Sequence, residues 1–316
     1  MTGITGKRHN DVRTSSILLA ALVVWYAPAT DAEEYKLYYL GGQSNMEGFG
    51  YVEQLPADLN AAVDGVMIYT GLLALDDDRN GGIGIWEQLQ PGHGTGFKSD
   101  GEANELSNRF GPELTFGKTM QDLAVDSKIA IIKYSLGGSG LAPGIGYGSW
   151  YPDYVENGGI NQYDHALRTI REALSHSDID GDGEADQLIP TGIVWMQGET
   201  EANDSEQIAR GYEANLKRMM DLLRAALRVD DLPVVIGRIT DSGMAEDGSV
   251  MDHIGIVQAA QAAYVESDEC AAYVTATDDI GYDDDPWHYN TDGFVKMGMA
   301  FAEAMLELEA TCGPKL

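Results

Sequence analysis

Basic residues are scarce in this 316-residue sequence, which contains 20 lysines and arginines against 51 aspartates and glutamates. The formal net charge at pH 7 is therefore -31. A surface with this excess of carboxylates repels phosphate backbones and anionic lipid headgroups, so the composition argues against nucleic acid as a partner. The hydrophobic fraction of 44% and the charged fraction of 22% are those of an ordinary globular chain.

Cysteine is also scarce, because the chain contains only Cys270 and Cys312. Two cysteines are too few for a disulfide scaffold and can form at most one intramolecular bridge. The sequence leaves open whether they are bridged or both free. Three familiar catalytic patterns are missing as well, namely the Gly-x-Ser-x-Gly elbow, the His-Glu-x-x-His zinc helix and the Walker phosphate loop.

The apolar run near the N terminus, residues 17–25, is shorter than the roughly 20 residues that a helix needs to span a bilayer. It follows three basic residues and precedes several alanines, an order that is typical of a secretory signal peptide. We predict a signal over residues 1–32, cleaved after Ala29 or Ala32, and a single domain over residues 33–316. The mature protein is then secreted or periplasmic and not bound to a membrane, and its oligomeric state stays open.

Five apolar runs with strand character alternate along the chain with five longer segments of helical spacing. This alternation implies crossover connections and a parallel sheet that is covered on both faces. We therefore predict an α/β fold, a three-layer α/β/α sandwich with a five-stranded parallel, flavodoxin-like sheet. Ligands of such sheets bind at the carboxyl ends of the strands. The predicted strands are residues 35–40, 128–134, 191–196, 233–239 and 271–274, and the predicted helices are residues 111–124, 163–174, 206–227, 253–265 and 293–308.

A serine stands where the first predicted strand turns toward a helix, in the segment 41–46 (GGQSNM). Small neighbours allow a tight backbone and leave the hydroxyl exposed. A serine hydroxyl needs a base, and the base needs an orienting carboxylate. Asp285 and His288 supply that pair from one loop after the last strand, at the same edge of the sheet as Ser44. Taken singly, each of the three residues also has an ordinary interpretation as a turn or surface residue.

Two more loops at this edge carry amide donors, in the segments 135–140 (SLGGSG) and 195–199 (WMQGE). The tetrahedral intermediate of ester hydrolysis bears an oxyanion, which is stabilised by preorganised amide groups. Gly137, Gly138 and Gln197 are candidate donors. The alternative is that the glycines only permit a tight turn and that Gln197 bonds a neighbouring backbone group.

Together, the four segments resemble the SGNH-type carbohydrate acetylesterases of the sialate O-acetylesterase-like group, which includes acetylxylan esterases. The segment 110–113 (FGPE) is also similar to that family, and the resemblance covers nearly all of the chain after residue 32. It implies an SGNH hydrolase fold and an exported serine esterase that removes O-acetyl groups from carbohydrates such as acetylated xylan. A sialate O-acetylesterase, a non-catalytic glycan-binding module on the same fold and a calcium-stabilised adhesion domain are the alternatives.

The resemblance also implies roles for single residues. Ser44 is the nucleophile, His288 the general base and then acid, and Asp285 its orienting partner. The backbone amides of Ser44 and Gly138 form the oxyanion hole together with the side chain of Gln197, and Gly137 could replace Gly138. No metal or cofactor is required.

Two acidic residues beside Gln197 are interpreted by analogy with the family. Glu199 is expected to support the site without touching the reacting atoms. The family often has aspartate where this chain has Glu201, so we expect the contacts made there to differ.

Aromatic residues in two segments are predicted to decide which sugar is bound, because aromatic rings stack on sugar faces. The first segment, residues 69–108, shows no sustained periodicity and includes Trp86 and His93. The second, residues 144–154, includes Trp150, Tyr151 and Tyr154. The alternative for both segments is that these side chains pack beneath a loop.

An acidic segment, residues 178–186 (DIDGDGEAD), matches part of a calcium-binding loop. Its carboxylates occupy positions 1, 3, 5 and 9 of that loop, and glycine occupies position 6. Position 12 is Ile189 instead of a bidentate glutamate, so an EF-hand is incomplete. An acidic turn is the simpler interpretation, and a structural calcium ion is the alternative. The candidate ligands are Asp178, Asp180, Asp182 and Asp186.

Overall fold

A seven-stranded sheet forms the core of the computed structural model, which describes residues 1–6, 32–124, 127–156 and 158–313. Residues Ala32–Leu316 form one compact unit. Most of the predicted signal segment lies outside the described residues, so the signal stays a prediction. None of the described helices is both long enough and apolar enough to cross a bilayer.

Strands and α-helices alternate along the described part of the chain. The strands are β1 (Glu34–Gly42), β2 (Gly50–Tyr51), β3 (Val66–Thr70), β4 (Trp86–Gln88), β5 (Lys98–Ser99), β6 (Asn104–Glu105), β7 (Arg109–Phe110), β8 (Lys128–Ser135), β9 (Ser139–Gly140), β10 (Gly148–Ser149), β11 (Gln187–Met196), β12 (Val234–Gly237) and β13 (Ala271–Val274). The helices are α1 (Ser44–Glu47), α2 (Glu113–Leu123), α3 (Gln162–Ala173), α4 (Glu199–Asn203), α5 (Glu206–Arg210), α6 (Tyr212–Leu227), α7 (Ile254–Ser267) and α8 (Thr291–Glu309).

The strand order of the sheet is β13-β12-β11-β1-β8-β3-β4. The five predicted strands correspond to β1, β8, β11, β12 and β13, which are parallel and follow the flavodoxin-like order, so the α/β prediction is confirmed. The prediction of only five strands was wrong, because β3 continues the parallel sheet and β4 pairs with it in the antiparallel direction. β3 consists of five buried, mostly apolar residues, so it has the pattern of a buried parallel strand and was overlooked, whereas two of the three residues of β4 are polar.

Helices cover the sheet in two groups, in which α2 packs against α8 and α6 packs against α7 and α3. Four of the five predicted helices are present with shifted ends. The predicted helix over residues 206–227 is divided at Gly211 into α5 and α6. Glycine is a poor residue for a helix interior, and the break lets the buried Tyr212 donate a hydrogen bond to the carbonyl oxygen of Gln197 at 2.7 Å.

The two cysteines form a disulfide bond, with 5.6 Å between the Cα atoms of Cys270 and Cys312. The sequence left this pairing open. The bridge ties the chain after α8 to the residue that precedes β13. Closing a loop with a sequence separation of 42 stabilises the folded chain by about 3 to 4 kcal/mol, chiefly by restricting the unfolded chain.

Candidate active site

The candidate nucleophile lies directly after the central strand. Ser44 begins α1 and is 6% exposed. Before it, Gly42 has a φ of +145°, and a Cβ atom on Gly42 would lie 1.9 Å from the carbonyl oxygen of Met196. The same carbonyl accepts a hydrogen bond from the N–H of Gln43 at 2.9 Å. Only glycine fits this close approach, which determines where the chain leaves the sheet and where Ser44 lies.

The candidate base and its acid lie in the loop between β13 and α8 and contact each other directly. Nδ1 of His288 is 2.9 Å from Oδ2 of Asp285, while Oδ1 accepts hydrogen bonds from the N–H groups of Trp287 and His288 at 2.8 and 2.9 Å. Partial burial by itself raises the pKa of Asp285, but these hydrogen bonds outweigh it and hold the pKa below its usual value. Asp285 is therefore an ionised acceptor for a hydrogen bond from Nδ1 of His288.

Phe49 fixes the plane of the imidazole. Its ring stacks on that of His288 with 3.7 Å between centroids and 4° between planes. Arg109 donates a hydrogen bond to the carbonyl oxygen of Phe49 and lies 3.4 Å from the ring centroid of Tyr51. The imidazole is thus held at its edge by Asp285 and at its face by Phe49. Nε2 of His288 has no hydrogen-bond partner among the described residues, which leaves it available for proton transfer.

Asn45 joins the turn that carries the serine to the loop that carries the histidine. Its Nδ2 donates to the carbonyl oxygen of Trp287 at 3.1 Å, and its Oδ1 accepts from the N–H of Tyr289 at 3.4 Å. Because Asn45 follows Ser44 and the two bonded residues flank His288, these contacts bring the nucleophile and the base together at one edge of the sheet. In the described part of the chain no hydrogen bond joins Ser44 to His288, and catalytic bonds of this kind often tighten only when substrate binds.

Glu199 supports this arrangement through Asn45. Its Oε1 accepts a hydrogen bond from Nδ2 of Asn45 at 2.8 Å, within a fully buried environment. Its Oε2 has no hydrogen-bond partner within the described ranges. Burial raises the pKa of Glu199 above its usual value. Glu199 therefore contacts the residue that follows the candidate nucleophile, and its supporting role stays a prediction.

The two candidate glycines of the oxyanion hole differ in whether their amides are free. The N–H of Gly137 donates to Oε2 of Glu47 at 2.7 Å, so it is already used. Gly138 has a φ of +66°, and its N–H has no acceptor among the residues that the structure describes. Gly137 lies next to the nucleophile, since a Cβ atom on it would be 3.3 Å from Cβ of Ser44. Of the two, Gly138 has the amide that an oxyanion can use.

Gln197, the third candidate donor, is engaged within the protein. Its Nε2 is 2.6 Å from Oε2 of Glu201 and 3.2 Å from both Oε1 of Gln43 and the carbonyl oxygen of Ser139. Its Oε1 is buried and has no partner in the described part of the chain. Both hydrogens of the amide therefore face protein acceptors, and the oxyanion role of Gln197 stays a prediction.

Gln43, which the sequence did not single out, is a further amide beside the nucleophile. Its Oε1 accepts hydrogen bonds from Gln197, Gly198 and Thr200 at 3.2 to 3.4 Å. These contacts fix the side chain, and its NH₂ group has no acceptor among the described residues. The only signal for Gln43 in the sequence was its position directly before Ser44.

A family model described as "SASA: Carbohydrate esterase, sialic acid-specific acetylesterase" matches residues 34–307 of this chain. The chain belongs to this family. The protein is therefore a carbohydrate O-acetylesterase, which confirms the predicted enzyme class. Among curated proteins, no sequence matches this acetylesterase.

Solved structures with the same fold include a protein from Arabidopsis thaliana, which is 18% identical with a TM-score of 0.56 over 86% of this chain and 98% of that one. XAC1771, a carbohydrate acetylesterase from Xanthomonas citri, is 18% identical with a TM-score of 0.58 over 87% of this acetylesterase and 57% of XAC1771. NanS is 15% identical with a TM-score of 0.54 over 88% and 98% of the two chains. At these identities the similarities show the fold alone.

A buried lysine supports the serine turn of the acetylesterase from beneath. Lys133, at 1% exposure, donates through Nζ to Oε2 of Glu113 at 2.6 Å and to the carbonyl oxygens of Glu47 and His93 at 2.9 and 2.8 Å. Burial lowers the pKa of Lys133, although the Glu113 carboxylate opposes this effect. Because Glu47 ends α1, the lysine links the serine turn to β8.

Replacing Lys133 with methionine is expected to destabilise the acetylesterase by about 3 to 5 kcal/mol, because the buried Glu113 carboxylate loses its partner. The measurement is denaturant unfolding followed by circular dichroism. The double variant Lys133→Met/Glu113→Gln should regain part of the loss, since it removes the unpaired charge. Lys118→Met is the matched control, because Lys118 pairs with Asp122 at the surface of α2 and should change stability by less than about 1 kcal/mol. An equal loss in both lysine variants would contradict the role given to Lys133.

Glu201 makes the stability of the acetylesterase depend on pH. It is fully buried, accepts hydrogen bonds from the N–H groups of Leu141 and Ala142, and burial raises its pKa from 4.5 to about 7. Since the folded state binds the proton more tightly than the unfolded state, stability falls as pH rises from 4.5 to about 7 and then stays level. At pH values above about 7, the ionised Glu201 lowers the free energy of unfolding by about 3 kcal/mol.

Replacing Glu201 with glutamine is therefore expected to change the free energy of unfolding more favourably at pH 8 than at pH 5, by about 3 kcal/mol. The glutamine keeps an oxygen acceptor for the two amides without the buried charge, and it loses the acceptor for Nε2 of Gln197 equally at both pH values. Denaturant unfolding of both proteins at the two pH values measures the difference. Glu206→Gln, at an exposed position of α5, is the control and should show no such dependence. A stability difference that is the same at both pH values would refute this explanation.

The aromatic residues predicted to stack on sugar are mostly packed inside the acetylesterase. Trp150 is fully buried, with its ring centroid 5.0 Å from that of Trp195, so its predicted role in sugar binding is wrong. His93 is also fully buried, and Trp86 donates to the carbonyl oxygen of Ala173 at 3.0 Å. For these residues the alternative of packing beneath a loop is correct. Tyr151 and Tyr154 stay partly exposed.

The acidic segment 178–186 brings carboxylates together without showing what they bind. Carboxylate oxygens of Asp178, Asp180 and Asp186 lie within 4.8 Å of one another, and Asp182 makes a similar group with Asp180 and Glu33. Backbone N–H groups of Gly181 and Gly183 donate to Asp178 at 2.7 and 3.0 Å, as in an ordinary acidic turn. Calcium binding stays a prediction from the sequence.

Proposed function

We propose that the protein is an exported serine esterase that removes O-acetyl groups from neutral carbohydrates, such as acetylated xylan, by way of an acyl-enzyme. One observation carries the proposal. Asn45 bonds to both neighbours of His288, which bonds to Asp285 at 2.9 Å, so that serine turn, base and acid form one connected group. This is the arrangement that activates a serine hydroxyl for attack on an ester.

In the first step Nε2 of His288 takes the proton of Ser44 as Oγ attacks the acetyl carbonyl carbon. The oxyanion accepts hydrogen bonds from the backbone N–H groups of Ser44 and Gly138, and Asp285 stabilises the imidazolium. The intermediate collapses, His288 protonates the departing sugar oxygen, and the acetyl group stays on Ser44. In the second step His288 deprotonates a water molecule, which releases acetate and restores the serine.

Electrostatics support a neutral sugar over an anionic one. The net charge of -31 creates a negative potential that opposes the approach of a carboxylate-bearing sugar such as sialic acid. Two cationic side chains connected to the site are engaged within the protein, since Lys133 bonds to Glu113 and Arg109 contacts Tyr51 and the carbonyl of Phe49. The description of the matching family favours the second candidate, a sialate O-acetylesterase.

Export is supported by two independent features. Residues 1–32 have the order of a signal peptide, and the Cys270–Cys312 disulfide is a bond that persists in oxidising compartments. Expression of the full chain in a secreting host, followed by sequencing of the N terminus of the exported protein, tests this part of the proposal. We expect the exported chain to start after Ala29 or Ala32, and an uncleaved chain retained in the cells would refute it.

The substrate is tested by measuring acetate released from acetylated xylan, chitin oligomers and O-acetylated sialic acid. We expect the highest kcat/KM for acetylated xylan, and a deficit for sialic acid that shrinks at high salt because screening weakens the repulsion. A preference for sialic acid would establish the second candidate. Sugar binding without acetate release would identify a glycan-binding module. Rapid quenching and mass spectrometry should detect an acetyl group on the peptide that contains Ser44.

A further inference from the structure

Tyr147 is a large aromatic residue that the fold leaves in solvent next to the active site. It is 79% exposed, and its hydroxyl has no hydrogen-bond partner among the described residues. It lies in the segment 144–148 (GIGYG), between β9 and β10. A tyrosine that contributes to the core would be buried, as Tyr134 and Tyr212 are. The exposure of Tyr147 therefore calls for an explanation other than packing.

The backbone holds this tyrosine against the oxyanion loop. The N–H of Tyr147 donates to the carbonyl oxygen of Gly138 at 2.8 Å, and Ser139 forms an antiparallel bridge with Gly146. A Cβ atom on Gly146 would lie 2.1 Å from the same carbonyl oxygen, so glycine is required for the close approach. The position of Tyr147 is therefore set by the fold.

The ring of Tyr147 is close to the reacting serine. A Cβ atom on Gly138 would lie 2.4 Å from Cδ2 of Tyr147, so the ring covers the glycine whose amide is free for an oxyanion. The preceding glycine, Gly137, lies against Ser44. Neighbouring residues therefore connect the candidate nucleophile to the exposed ring, in the order Ser44, Gly137, Gly138 and Tyr147.

A second exposed apolar side chain belongs to a loop that contacts β10, the strand that follows Tyr147. Leu75 is 62% exposed, and the next residue, Asp76, accepts a hydrogen bond from the N–H of Ser149 at 2.9 Å. Asp76 also accepts from Nε2 of Gln162 at 2.6 Å, which fixes the loop. Apolar surface on two fixed loops at this edge of the sheet suits the C–H face of a sugar ring.

We propose that the exposed ring of Tyr147 is a sugar-binding platform, on which the pyranose ring bearing the acetyl group stacks while its ester reaches Ser44. The proposal rests on the proposed function and names the subsite that gives it specificity for carbohydrate. An aromatic ring offers the sugar an apolar face, and its hydroxyl stays free to bond a sugar hydroxyl. The net negative charge of the chain is compatible with a neutral sugar.

The test compares Tyr147→Ala with the unmodified protein on an acetylated xylo-oligosaccharide and on ethyl acetate, which has no ring to stack. We expect the ratio of kcat/KM for the oligosaccharide to kcat/KM for ethyl acetate to fall about tenfold, mainly through KM of the oligosaccharide. Tyr147→Phe keeps the ring and should retain most of this ratio. Leu123→Ala removes an exposed side chain at the end of α2, remote from this edge of the sheet, and should leave the ratio unchanged.

An unchanged ratio in Tyr147→Ala would overturn the proposal, and so would an equal loss on both substrates, which would show that the ring only supports Gly138. Calorimetric titration with a deacetylated xylo-oligosaccharide measures sugar binding without hydrolysis, so it tests the platform separately from the proposed esterase activity. Should the unmodified protein hydrolyse no acetyl ester, the esterase assignment fails. Weaker oligosaccharide binding in Tyr147→Ala would still support the platform, while equal binding in both proteins would refute it.

Discussion

Replacing Ser44 with alanine is expected to lower kcat for an acetylated sugar by about 10⁴-fold to 10⁶-fold, because the proposed nucleophile is removed. Any remaining hydrolysis then depends on direct attack by water, which is slow. Acetate release under saturating substrate measures the effect. Binding of the sugar should persist in the variant, since no carbohydrate contact is removed with the hydroxyl.

The control for this variant is Ser135→Ala. Ser135 is 1% exposed at the end of β8, and its Oγ has no hydrogen-bond partner in the described part of the chain. Removing such a buried, unpaired hydroxyl has little or no cost in stability. Ser135→Ala should therefore keep its activity and its fold. Full activity in Ser44→Ala would refute the assignment of the nucleophile.

Replacing Asp285 with asparagine is expected to reduce kcat by about 10⁴-fold while the fold stays intact. The asparagine amide can donate a hydrogen bond to Nδ1 of His288, which would place the ring proton on Nε2, the atom that must accept the proton of Ser44. The stacking of Phe49 on the imidazole does not depend on this carboxylate, so the ring should keep its plane. NMR of the ring nitrogens of His288 reports the change of tautomer.

Asp284→Asn is the matched control for Asp285→Asn, because Asp284 is the adjacent carboxylate of the same acidic run. It should retain activity within about twofold, as surface substitutions have small effects. Equal activity in both variants would contradict the role of Asp285.

Because the hydrogen bonds hold the pKa of Asp285 below its usual value, the contribution of Asp285 to stability is present at neutral pH and is lost as pH falls through that pKa.

The main topology could be predicted because β1, β8, β11 and β12 consist largely of apolar residues with buried side chains on both faces. Crossover connections then require a parallel order, and that order brings Ser44 and the loop of His288 to one edge. β3 was missed although its five residues are buried and mostly apolar, while the edge strand β4 was missed because it is short and partly polar. The break at Gly211 was missed because helical spacing continues through it.

Apart from Glu199, which the resemblance indicated, the polar contacts that support the site could not be predicted, because the partners are distant in the chain. Glu47 bonds the N–H of Gly137, which is 90 residues away, and Lys133 bonds Glu113 inside the protein. In the sequence these residues look like ordinary surface charges. Trp150 was misjudged for the opposite reason, since a tryptophan in a loop looks exposed until its partner Trp195 is known.

The two hydrogen bonds of the Asn45 side chain to the loop of His288 join two segments that are more than 240 residues apart in the chain. Because this link exists before substrate arrives, binding has to bring together only Oγ of Ser44 and Nε2 of His288, which costs little reorganisation energy. Loops that contact neither segment can therefore change without moving the nucleophile relative to the base.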